Sequence, residues 1–160
     1  MKEGTFYVTE ADDASAVLRD VTDGQVHTLA DNPGVAAGSV VEATVEPEPP
    51  MEVVWTAEVE RTFEVSVSRS EEPPTQRARE TAAAQPVGEV TRHERAGTGE
   101  VHVLTVPDEE TEAAVGDILE DEATVERAAR LAVERVEVRA EPGVVSVRNL
   151  RGEKQSYGRL

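Results

Sequence analysis

The sequence predicts an α+β protein in two parts, a small N-terminal β-barrel followed by a C-terminal helix-on-sheet module. Three observations carry this. Up to about Ser70 the chain is a series of short runs rich in Val and Thr, with no helical periodicity. Ser70-Glu71-Glu72-Pro73-Pro74 then interrupts it with a polar, acidic, Pro-rich break. Beyond the break, two amphipathic helical patterns stand between strand-like runs. The expected division is 1–70 for the barrel, 71–150 for the α+β module and 151–160 for a fraying tail.

In the first part, Thr5 to Thr9 is β-rich. Ala16 to Asp20 and Gln25 to Leu29 flank Val21-Thr22-Asp23-Gly24, where Asp-Gly signals a hairpin. Asn32-Pro33-Gly34 is a turn cluster, and Val40 to Val45 is the next strand. Three prolines in Glu46-Pro47-Glu48-Pro49-Pro50 lack the donor that a central strand needs. Val53 to Val59 and Thr62 to Val67 read as two further strands, each alternating apolar with polar residues. Five or six strands without an intervening helix point to a barrel or sandwich.

In the second part, Thr75 to Gln85 reads as a helix entered from Pro73-Pro74 and ended by Pro86. Val87 to Arg95 is read as a further helical turn, with a short strand as the alternative. Ala96-Gly97-Thr98-Gly99 is a loop. Glu100 to Val106 is a strand with Val101 and Val103 on one face and Leu104 and Val106 on the other, as in a strand covered on both sides. Asp108, Glu109 and Glu110 suit the first turn of a helix. Its apolar face is Thr111, Ala114, Val115, Ile118 and Leu119. Asp121 or Thr124 caps a second helix carrying Val125, Ala128, Ala129, Ala132 and Val133. Val136 and Val138 start a strand that turns at Glu141-Pro142-Gly143 and returns over Val144 to Arg148.

Charge limits the function classes. There are 33 acidic residues against 16 basic ones, a net charge of −17, and the only lysines are Lys2 and Lys154. Self-repulsion on this scale opposes a compact state in dilute buffer. In molar salt the screening length falls to about 3 Å and the repulsion fades. Acidity, scarce lysine and abundant Val and Ala together predict a cytoplasmic protein adapted to concentrated salt. With no cysteine there is neither a disulfide nor thiolate chemistry. The opening residues lack the apolar core of a signal peptide, and no apolar run approaches a membrane span.

No motif assigns a catalytic residue. Gly97-Thr98-Gly99 precedes a strand instead of a helix N-terminus and has no Lys-Ser/Thr after it, unlike a phosphate loop. His27, His93 and His102 have no metal-ligand spacing, so no metal or other cofactor is expected. The carboxylate runs read as hydrated surface, and Gly-x-Ser-x-Gly is absent. The one candidate nucleic-acid surface is an arginine set, Arg127, Arg130, Arg135, Arg139, Arg148 and Arg151, for which ion pairs with Glu126, Glu134 and Glu137 are the bland alternative. The barrel half offers only Lys2, Arg19, Arg61 and Arg69 against its many acids.

Two resemblances add to this reading. Gly38-Ser39-Val40-Val41-Glu42-Ala43 resembles the strand entry of small barrels of the oligonucleotide-binding and SH3-like group, which implies barrel topology and no ligand. Lys2 to Thr9, Glu46 to Val53 and Ala96 to Pro107 resemble a family of small acidic haloarchaeal proteins, a domain of unknown function, over a stretch reaching about Leu150. That resemblance implies a halophilic archaeal origin and brings no activity with it. The expected function is a non-enzymatic protein-interaction or accessory protein with a protein partner and no membrane. The alternatives are an RNA-binding or translation-associated protein using the arginines, and an enzyme of unrecognised type. An apolar patch, an exposed Tyr7 or Trp55 beside the arginines, or a pocket holding His27 or His102 would distinguish the three.

Overall fold

A computed structural model describes residues 1–95 and 99–150. Of the expected Ala96–Gly99 loop, Ala96, Gly97 and Thr98 lie outside the described residues, as do Arg151 and the 151–160 tail, whereas Gly99 is the first residue of a strand. The chain is mixed α and β and forms two compact units, Met1–Val65 and Ser66 onward.

The first unit is an antiparallel sheet of β1 (Lys2–Ala11), β2 (Ala16–Asp20), β3 (Val26–Thr28), β4 (Val40–Pro47) and β5 (Trp55–Phe63), in the order β3-β2-β1-β4-β5. The β2–β3 turn forms as the Asp-Gly signal requires. Asp20 accepts the Thr22 N–H at 2.7 Å, and Gly24 takes φ +78°, which a side chain would resist. Asn32 holds its turn by accepting the N–H groups of Gly34 and Val35, each at 2.8 Å. Phe6, Val8, Leu18, Leu29, Val41 and Val45 form the core.

Two expectations are corrected here. The run from Val53 to Val67 is not two strands of one sheet. β5 continues through Glu60-Arg61 because its register against β4 shifts there, between Glu42 and Ala43. The break in alternation is a bulge within a strand, not the end of one. No closed barrel is found among the described residues. The two sheet edges meet at a single parallel bridge, Leu29 with Trp55, where the Ala30 N–H donates to the Trp55 carbonyl at 2.8 Å.

The second unit is a five-stranded sheet with helices on both faces. Its strands are β6 (Ser66–Arg69), β7 (Val90–Arg95), β8 (Gly99–Thr105), β9 (Arg135–Glu141) and β10 (Val144–Leu150), in the order β6-β9-β10-β8-β7. β6 runs parallel to β9, and the other pairs are antiparallel. The Ser70–Pro74 segment therefore joins β6 to α1 (Gln76–Ala83) within this unit. Ala78 and Ala82 of α1 pack on Val101, Val103 and Val144. On the opposite face α2 (Thr111–Glu120) sets Val115 and Ile118 against Leu104, Val138, Val145 and Val147. The two faces expected of the Glu100–Val106 strand are both covered. Asp121 caps α3 (Glu122–Arg130) by accepting the Ala123 N–H at 2.9 Å.

Within 87–95, Val90–Arg95 is a strand preceded by a turn at Val87-Gly88, not the helical turn expected. Gly88 at φ +94° breaks the helical path, and Val90 to Arg95 then pair with β8. The Gln85 amide secures the reversal, donating to the carbonyls of Glu89 and Val103 and to the Thr105 hydroxyl. α3 also ends earlier than the apolar spacing implied. Ala132 takes φ +61°, and the Val133 N–H turns back to the Ala128 carbonyl at 2.9 Å. Val133 remains fully buried, but on the chain leaving the helix.

Candidate functional site

The helices α2 and α3 pack on β6, β9 and β10, and α2 reaches Leu104 of β8; the edge strand β7, with Val90 exposed, lies beyond their cover on that face. A cleft of about 310 Å³ lies where the cover stops. Side-chain alternation builds it. His102 and Leu104 of β8, Val90 of β7, and Val147 and Asn149 of β10 all project to this side. The α2–α3 corner supplies the opposite wall through Ile118, Asp121, Ala123, Thr124 and Arg127.

The walls are mainly apolar, and the polar groups are few. His102 Nε2 lies 3.0 Å from Glu100 Oε1, and the other Glu100 oxygen accepts from Arg92 at 3.1 Å. Glu100 is itself buried. Burial pushes the His102 pKa below its ordinary value of 6.5; the Glu100 contact opposes this, and the Arg127 charge adds to it. The Thr124 hydroxyl is spent on the Ile118 carbonyl at 3.2 Å. Asp121 is engaged as the α3 cap. Asn149 is 1% exposed, and its Nδ2 has no hydrogen-bond partner.

The arginine set is divided. Arg127 and Arg130 lie in the last turn of α3, and Arg127 lines the cleft. Arg135, Arg139 and Arg148 belong to the other face of the sheet. There Arg139 is 2.9 Å from Glu137, which also lies 3.8 Å from Arg148. Of the two aromatics considered for stacking, Tyr7 is buried and Trp55 packs on the N-terminal core.

A profile of the DUF5812 family matches residues 2–140. The chain belongs to this family, a family of unknown function. No curated protein and no solved structure matches it. The DUF5812 match stops before β10, so Val147 and Asn149 on the cleft floor lie beyond it.

In this DUF5812 member His27 is the other histidine brought to notice. It is fully buried in the N-terminal unit, edge-on to Phe6 at 5.5 Å and to Trp55 at 4.4 Å, with neither ring nitrogen hydrogen-bonded. Among the described residues no three of His, Asp and Glu converge as a metal site, and no helix is long and apolar enough to cross a membrane. Asn149 escaped the sequence reading. Its signal was its place in the series Val145, Val147, Asn149, where a polar residue occupies an apolar position of the alternation.

Proposed function

We propose that the chain is a non-catalytic cytoplasmic binding protein, adapted to concentrated salt, that holds a compact apolar group of its partner or ligand in the cleft of the C-terminal unit. The cleft itself is the observation that carries this. Its volume is at the lower end of the range for small-molecule sites, and apolar walls with few polar groups are the usual composition of such sites. The salt adaptation draws on the net charge of −17. The Leu29–Trp55 bridge supports reading the N-terminal sheet as an incompletely closed barrel that acts as a scaffold.

The His102–Glu100 pair favours a second reading, an enzyme whose imidazole base is oriented by a carboxylate. Against it, the hydroxyl lining the cleft is already donated to a backbone carbonyl. The test uses a neutral apolar fluorophore, N-phenyl-1-naphthylamine, titrated in molar KCl. Saturable binding by the native chain and its loss in Ala123→Trp, which fills the cleft from an exposed position, are the expected results. Binding that ignores Ala123→Trp overturns the assignment.

A further inference from the structure

We propose that the cleft ligand is a small organic anion, a carboxylate carrying a compact apolar body. This rests on the cleft being the binding site and adds the chemistry of what enters it.

The first observation is an arginine left over in an acid-rich chain. Acids outnumber bases by about two to one, and most bases are engaged. Arg69 pairs with Glu112, Arg79 with Glu141, Arg92 with Glu100 and Arg139 with Glu137. Arg127 is different: among the described residues its guanidinium has no ion-pair or hydrogen-bond partner, yet it lines the cleft. A guanidinium offers five donors in a fork that matches a carboxylate.

The second observation is independent. Asn149 is almost wholly buried on the cleft floor, and its Nδ2 donor is unsatisfied. A buried donor without an acceptor costs about 1–3 kcal/mol. Recovering that cost takes a turn of the Asn149 side chain that opens the sealed nitrogen to an acceptor oxygen in the cleft. The two donors come from α3 and β10, and Leu104, Ile118 and Val147 supply an apolar wall of the same cleft. Asp121 is the one carboxylate lining the cleft, and its role as the α3 cap turns an oxygen to the Ala123 N–H. A carboxylate with an aliphatic or aromatic body therefore matches both the free donors and the wall, whereas a cation would meet Arg127.

The experiment compares octanoate with 1-octanol, which share a chain and differ in the head group, by calorimetric titration of the full chain in molar KCl. Octanoate is expected to bind at one site at least tenfold more tightly than octanol. Arg127→Gln, at an exposed position, is expected to reduce octanoate binding to the level at which the same variant binds octanol. Equal binding of the two, or an octanoate preference that survives Arg127→Gln, overturns the anion assignment and leaves the apolar cleft standing. If neither binds, while circular dichroism shows the chain folded, the cleft reading itself fails and the proposal fails with it.

Discussion

At the residue scale, His27 and Gly143 have consequences out of proportion to their size. Burial against Phe6 and Trp55 holds the His27 pKa below 6.5, so its folded form is neutral. The unfolded chain then binds the proton more readily, and stability is lost as pH falls below 6.5 towards the folded-state value. Each such imidazole contributes a slope of at most about 1.4 kcal/mol per pH unit. His102 shifts the same way, in the other unit. Urea denaturation in molar KCl, followed by Trp55 fluorescence, should show the midpoint of the N-terminal unit falling from pH 7 to 5. His27→Leu should flatten that dependence; an unchanged slope would refute the burial argument. Gly143 sits at φ +87° in the β9–β10 turn, and a Cβ there would meet Asp108 Oδ1 at 2.8 Å. Gly143→Ala is expected to destabilise the chain by about 1–2 kcal/mol. Adding Asp108→Ala should restore the steric part alone.

At the scale of elements, the strand β7 shows how far the sequence could be read. Pro86, the helix before it and β8 after it were all legible, because each rests on local punctuation or alternation. The conformation of Val87–Arg95 was not, since its stability comes from pairing with β8 and from the Gln85 amide, both non-local. β5 was divided in error for a related reason: a bulge alters alternation in the same way as a strand end, and only the partner strand distinguishes them. The cleft was half legible. His102 stood out by residue type, whereas its neighbours Asn149 and Arg127 come from elements apart in sequence and meet only through the sheet order. Gln85→Ala is expected to cost about 1–3 kcal/mol by leaving buried acceptors unpaired. Hydrogen exchange should locate the loss in β7 and the end of α1, and leave the β9–β10 hairpin protected. Uniform acceleration across the unit would show that Gln85 supports more than this corner.

At the scale of the whole molecule, charge sets the conditions under which the fold exists. A net charge of −17 is spread over both units, and 16 bases cannot pair one to one with 33 acids. Far-UV circular dichroism is expected to show structure in molar KCl and its loss on dialysis into dilute buffer, as the screening length grows from about 3 Å to about 30 Å. A spectrum unchanged in dilute buffer would overturn the salt adaptation, and the scattered surface carboxylates would then need a role other than hydration. Sheet order adds a consequence for synthesis. β6 is made early but lies beside β9, with Ser66 opposite Arg135, and β10 is the strand that joins β9 to β8. A nascent chain therefore emerges with Ser66–Arg69 lacking their neighbour until Arg135–Val138 have followed. A message truncated after residue 140 yields a product whose second sheet is split at its centre, so that half of the protein can close only once Val144–Leu150 have been made.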